Sequence, residues 1–223
     1  MGNKNRYFFL FCLLSFFVTP VFGTETIPRF TKSECPFPVE EPLEGVECGY
    51  VFVPENREKP EGRSLRLAVA ILRSLSSTPE PDPIVFLSGG PGLRSVHNTP
   101  ARTESSFWKP LRENRDLIFF DQRGTGYSDP EFCPELYSVF SASFRGLPPL
   151  ERTASQVRAL QDCRSRMVKQ GIDFSAYNSR TSAKDLEDIR RALGFNQWNL
   201  FSVSYGTRLA LTAMRETPDA SGV

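Results

Sequence analysis

The chain has 223 residues, 24% charged and 39% hydrophobic, with a formal net charge of +1. That length supports one sizeable core, and the balanced charge offers neither a basic stripe for nucleic acid nor an acidic tail. His97 is the sole histidine and no Cys-x-x-Cys spacing occurs, which argues against a zinc centre and against any metal or cofactor requirement.

A charged start with Lys4 and Arg6 precedes an apolar run from Tyr7 to Val18, and Val21 and Gly23 occupy the −3 and −1 positions of a cleavage site before Thr24. Residues 1–23 thus read as a secretory signal peptide, too short and wrongly flanked for a membrane anchor. Cys12 has no small residues before it, so lipoprotein processing is not expected, and Arg6 stands where an acylation motif needs Ser or Thr. The expected location is secreted or periplasmic, with 24–223 as the mature domain. Beyond that cut lie Cys35, Cys48, Cys133 and Cys163, an even number consistent with two disulfides. Three pairings are possible. Cys35–Cys48 with Cys133–Cys163 is preferred, because each pair brackets a loop-rich segment.

Thr24 to Glu47 is rich in Pro and Glu and reads as an irregular lead-in. Gly49 to Pro54 is a short strand closed by proline. Ser64 to Arg73 alternates Leu65, Leu67, Val69 and Ile71, a strand with one strongly apolar face. Ser74 to Pro83 is a surface connection. Ile84–Leu87 and Leu117–Phe120 are continuous apolar runs, the signature of parallel strands buried on both faces. Each ends in a glycine-rich loop, as at the carboxyl edge of an α/β sheet where ligands bind. Ser155 to Gln170 carries a loose helical face (Val157, Leu160, Met167, Val168) stopped by Gly171. Thr181 to Leu193 is a firmer helix, with Ser182 as cap, Asp185 three residues on, and Gly194 as terminator.

The stretch Trp198 to Phe201 then feeds Ser202-Val203-Ser204-Tyr205-Gly206, and a helical pattern follows from Thr207 to Arg215. Strand, sharp turn on one serine, and helix are the layout of a nucleophile elbow. Such a turn lifts Ser204 Oγ clear of the sheet and aims the first helical amides at it. Acyl transfer also needs donors for the oxygen that becomes negative. The amide of Tyr205 is one candidate, and an amide of Gly89 or Gly90 in Ser88-Gly89-Gly90-Pro91-Gly92 is the other. Neither Gly-x-Gly-x-x-Gly nor a Walker lysine is present, so this loop is not read as a nucleotide site. Asp121 and Arg123, in Asp121-Gln122-Arg123-Gly124-Thr125-Gly126-Tyr127-Ser128, form a potential ion pair that holds an active-site floor; arginine does not lose its proton at working pH.

These three motifs, in this order and approximate spacing, resemble the proline-iminopeptidase branch of the α/β-hydrolases, and most of all its secreted tripeptidyl-aminopeptidase-type members. The resemblance spans about Cys35 to Pro218. It implies an α/β-hydrolase fold with Ser204 as nucleophile and an oxyanion hole from Gly90 and Tyr205. It also implies paired cysteines early in the chain and around Cys133 and Cys163, and substrates that are peptides or small esters. Two residues depart from the family pattern: Ser88 stands where many relatives have histidine, and Ser202 replaces the usual elbow glycine.

A serine hydroxyl needs a base, and the base an orienting acid, which in this fold follow the serine in the chain. No histidine follows Ser204. Asp219, on a continuing helix, would stand roughly 22 Å away at about 1.5 Å per residue, so neither it nor Glu216 fits as the acid. His97 lies in a polar loop and reads as exposed. The chain is therefore expected to be the amino-terminal part of a hydrolase, truncated after the elbow helix and inactive alone, with a carboxyl-terminal half supplying Asp and His. A non-catalytic exported relic, or an esterase or lactonase of the same fold, would share these features.

Overall fold

A computed structural model describes residues 28–38 and 43–220. The expected signal peptide lies outside the described residues. Among the described residues six strands and six α-helices follow one another: β1 (Phe30–Ser33), β2 (Val46–Pro54), β3 (Ser64–Leu72), β4 (Ile84–Leu87), α1 (Thr99–Thr103), α2 (Lys109–Arg112), β5 (Leu117–Phe120), α3 (Leu136–Gly146), α4 (Pro149–Lys169), α5 (Ser179–Ala192), β6 (Asn199–Ser202) and α6 (Tyr205–Glu216). The strands form a single sheet ordered β1-β2-β3-β5-β4-β6. Its first four strands pair antiparallel, whereas β4 runs parallel to both β5 and β6.

The alternation in β3 sets the two faces of the core. Leu65, Leu67, Val69 and Ile71 point to the side covered by α5 and α6, where they meet Val85, Leu87, Leu186, Ile189 and Leu209. Ala68, Ala70 and Leu72 point to the other side, with Leu117, Phe119 and Val96. Each fully buried leucine or isoleucine contributes about 1.5–3 kcal/mol relative to exposure, which makes this register far more stable than one slipped by a residue. Among the described residues β6 is an edge strand, paired only with β4. No helix among the described residues is long and apolar enough to cross a membrane.

Several local expectations need correction. The lead-in contains β1, and β2 starts at Val46 because Val46 pairs with Leu72, extending the hairpin ladder to its full length. β4 is not buried on both faces: Val85 and Leu87 are buried, but Ile84 and Phe86 are only half covered. Helix α3 went unforeseen, and α4 begins at Pro149, where the fixed φ of proline suits a first turn. Helix α5 is capped by Asn178, whose side chain accepts from the Thr181 amide; Ser182 is inside the helix and buried.

Both preferred disulfides form. Cys35–Cys48 ties the segment after β1 to β2, and Cys133–Cys163 pins the α3–α4 hairpin to the loop after β5. A small apolar cluster of Cys133, Met167 and Ile172, flanked by Phe132 and Tyr177, joins this hairpin to the body.

Candidate active site

Strand β6 delivers the chain to Ser204, which occupies the N-cap of α6 with φ 55° and ψ −124°. A non-glycine residue seldom adopts this conformation, and it persists only where surrounding structure enforces it. The enforcement is visible. The Val203 amide donates to Leu87 O (3.2 Å), and the Gly206 and Thr207 amides donate back to Val203 O and Ser204 O (both 2.9 Å). Gly206 is buried against β4, and a Cβ there would overlap Leu87 O and stand 2.7 Å from its carbonyl carbon. Helix and strand backbones therefore meet without a side chain between them. Ser202 in place of glycine is accommodated, half-buried, at the end of β6.

Ser204 itself is exposed, and the glycine-rich loop after β4 lies alongside it. A Cβ on Gly89 would stand 3.0 Å from Ser204 Cβ and 3.4 Å from its Oγ. Gly90 has φ +108°, and a Cβ there would press within 2.7 Å of Gly92 N, so only glycine lets the loop turn back beside the serine. Among the described residues, the amides of Gly89, Gly90 and Tyr205 take no part in the turn and loop backbone hydrogen bonds, and the Tyr205 amide is at the first position of α6, without an intrahelical acceptor. Ser88 clips the loop shut by donating from Oγ to Leu93 O (3.0 Å).

Behind this loop Asp121 is fully buried and accepts three amides: Ser95 (2.5 Å) and Val96 (3.0 Å) through Oδ1, and Tyr127 (2.9 Å) through Oδ2. Burial pushes its carboxyl above the ordinary value, and those three amides only partly offset the effect. One carboxylate thus fixes the exit of the glycine-rich loop to the turn at Gly126, where a Cβ would collide with it. Arg102 closes the other side. Its guanidinium donates to Ser95 O (2.5 Å) and lies 4.3 Å from the Phe119 ring centre, and burial draws its pKa down to about 10.

The expected Asp121–Arg123 pair does not form. Arg123 points the opposite way, into the space between β2 and α5, and binds Asp185 through Nε and Nη2, each at 2.6 Å. Both side chains are essentially inaccessible, at 1% and 2%. Glu55 O (2.6 Å) and Ala176 O (3.1 Å) take further donors of Arg123, and Arg57 adds a second cation to Asp185 at 2.6 Å. Tyr177 donates to Glu55 Oε1 (2.7 Å); burial, and then that acceptor, raise its phenol far above the ordinary value, so it remains a donor. Asp185 was therefore misread as part of a cap. Its position in the apolar stripe of α5, beside Leu186 and Ile189, was the signal of a buried counter-ion.

His97 is half-buried, and its Nδ1 is 2.9 Å from Tyr127 Oη; among the described residues no hydrogen bond joins it to Ser204. Glu216, at the far end of α6, pairs with Arg180 and Arg215 (both 3.1 Å), and Asp219 sits in the short turn Pro218–Ala220 beyond it. The geometry brings Ser204, Gly89, Gly90 and Tyr205 together and leaves His97, Glu216 and Asp219 apart from them.

A family model described as the alpha/beta hydrolase fold matches residues 82–220, from the start of β4 past the end of α6. The chain belongs to the α/β-hydrolase family. Among its curated relatives, the tripeptidyl aminopeptidase of Streptomyces coelicolor is 30% identical over 180 residues, covering 78% of this chain and 33% of the relative. The serine protease Hip1 of Mycobacterium tuberculosis is 28% identical over 181 residues, covering 78% of this chain and 34% of that protein. The solved proline iminopeptidase of Mycobacterium smegmatis overlays with a TM-score of 0.45 at 16% identity, covering 77% of this chain and 41% of that one. The chain thus spans about a third of the length of the curated relatives it matches. As an α/β-hydrolase it has its glycine-rich loop after β4 and its elbow between β6 and α6 at the same, carboxyl edge of the parallel strands.

Proposed function

We propose that Ser204 is the nucleophile of an exported serine hydrolase that releases residues or short peptides from the amino termini of peptide substrates. One observation carries the reading. Ser204 is held at φ 55° between β6 and α6, exposed, with Gly89 packed beside its Oγ. Curated relatives named as an aminopeptidase and a serine protease support the peptide substrate, and two disulfides support export. The domain reading follows: residues 1–23 as a signal peptide, and 24–223 as part of the hydrolase domain.

In this reading Ser204 Oγ attacks the substrate carbonyl carbon and gives its proton to a base. The carbonyl oxygen becomes negative and accepts hydrogen bonds from the amides of Tyr205 and of Gly90 or Gly89. The intermediate collapses to an acyl-enzyme as the base returns the proton to the leaving amine, and water releases the acyl group by the same steps in reverse order. Asp121 holds the exit of the glycine-rich loop, Arg123 ties the turn below it to α5, and neither moves a proton. His97 is engaged with Tyr127, so base and orienting acid are assigned to polypeptide beyond this sequence, in keeping with a relative of which the matched segment is only 33%.

The test is a fluorophosphonate probe applied to the complete polypeptide, with the modified residue located by peptide mapping. The label is expected on Ser204 and is expected to vanish in Ser204→Ala. Full labelling that survives this substitution would overturn the assignment.

A further inference from the structure

A cleft of about 500 Å³ opens beside the candidate oxyanion pocket, between the Pro91–Gly92 loop, the Gln122–Thr125 turn and the first turns of α5 and α6. Its charge is one-sided. Among the described residues that line it there is no carboxylate, and two arginines are present. Arg123 is neutralised from behind by Asp185. Arg208, one turn into α6, is exposed, and no carboxylate among the described residues pairs with it, although its neighbours Arg180 and Arg215 share Glu216.

The wall also brings polar groups beside this cation. Gln122, 7% exposed, forms part of the wall, and its amide nitrogen is buried without a hydrogen-bond partner. Ser179 Oγ and Tyr205 Oη meet at 3.0 Å, so one of the two hydroxyl protons is left over for a ligand. The amino-terminal ends of α5, of 14 residues, and α6, of 12, add their positive dipole ends.

The geometry points to a subsite for a carboxylate-bearing side chain of the bound peptide, with Arg208 as its counter-ion. The cleft is lined by Tyr205, the residue next to Ser204 in the chain, so a peptide whose carbonyl lies at Ser204 enters it with a residue close to the reacting bond. That direction, though not the anion selectivity, rests on the reading of Ser204 as nucleophile. A cation without a partner, in a lining that holds no carboxylate, favours a ligand that brings negative charge; a neutral amide of the same shape brings none. Phe132 and Tyr177 flank the turn and offer apolar contact for the methylenes leading to the carboxylate.

The experiment is a calorimetric titration of the 223-residue chain with two peptides, N-acetyl-Ala-Glu-amide and N-acetyl-Ala-Gln-amide, which differ only in the carboxylate. The glutamate peptide is expected to bind about tenfold more tightly, as one charge-assisted hydrogen bond warrants, with a ratio that shrinks as salt is raised. Arg208→Gln is expected to bring the ratio to about one without moving the melting temperature, since Arg208 makes no ion pair among the described residues; Arg208→Lys should retain most of the preference. Equal affinities, no binding of either peptide, or an unchanged ratio in Arg208→Gln would overturn the inference. The Ser204→Ala chain should keep the full preference. A failure of Ser204 to react with a fluorophosphonate in the complete polypeptide would therefore remove the hydrolase reading and leave this ratio to decide the cleft on its own.

Discussion

Replacing Asp185 with alanine tests how the floor of the site is held. Asp185 accepts three charge-assisted hydrogen bonds of 2.6 Å, two from Arg123 and one from Arg57. After the substitution Arg57 keeps Asp188 at 2.7 Å, but Arg123 remains buried with only backbone carbonyls for partners. Removing one member of a buried pair costs about 3–5 kcal/mol, because the surviving charge stays desolvated. A domain of this size loses about 2–4 °C of melting temperature per kcal/mol, so a fall of about 6–20 °C is expected. That is a large part of the ~5–15 kcal/mol that holds a domain together. Circular dichroism melts of the 223-residue chain read it directly. The double variant Arg123→Met with Asp185→Leu removes both charges and should recover most of the loss. An Asp185→Ala melt within about 2 °C of the parent, or a double variant no better than the single, would refute the reasoning.

The remaining predictions concern the loop, the acid range and the crosslinks. Gly89→Ala places a methyl 3.4 Å from Ser204 Oγ; in the complete polypeptide fluorophosphonate labelling should slow at least tenfold while the melting temperature changes little. For Asp129, burial raises the carboxyl, but the Arg66 side chain and amide outweigh it and hold the value below the ordinary one. The stability it adds is therefore present above about pH 4 and fades as pH falls through its lowered folded value. The melting gap between the parent and Asp129→Asn should be full at pH 7 and close towards pH 2. Cys133–Cys163 closes a separation of 30 residues and Cys35–Cys48 one of 13. Loop-closure entropy assigns them about 3.6 and 2.9 kcal/mol, so denaturant titration of the paired Cys→Ser variants should find the first the costlier loss.

The sequence was most legible where one periodicity or one turn decided the outcome. Ile84–Leu87 and Leu117–Phe120 appear within their expected bounds because short apolar runs between polar turns leave no other choice. The elbow was legible because Ser204 and Gly206 sit where a strand pattern gives way to a helical one. What stayed hidden depends on residues distant in the chain. Phe30–Ser33 becomes a strand only through its partner Val51–Cys48. Helix α3 has a half-apolar pattern that acquires a direction only when Cys133 and Cys163 join. Arg123 looked nearest to Asp121 in sequence, yet the backbone between them turns their side chains to opposite sides, and the counter-ion comes from α5, 62 residues on. Arg208 gave no signal at all, because an exposed arginine is informative only once its neighbours prove to be paired elsewhere.

The most direct test of the account is the structure of the complete polypeptide carrying a phosphonate on Ser204. The account predicts the phosphoryl oxygen at about 2.7–3.1 Å from the Tyr205 amide and from that of Gly90 or Gly89. A phosphoryl oxygen turned away from those amides, or bound by donors elsewhere, would contradict it.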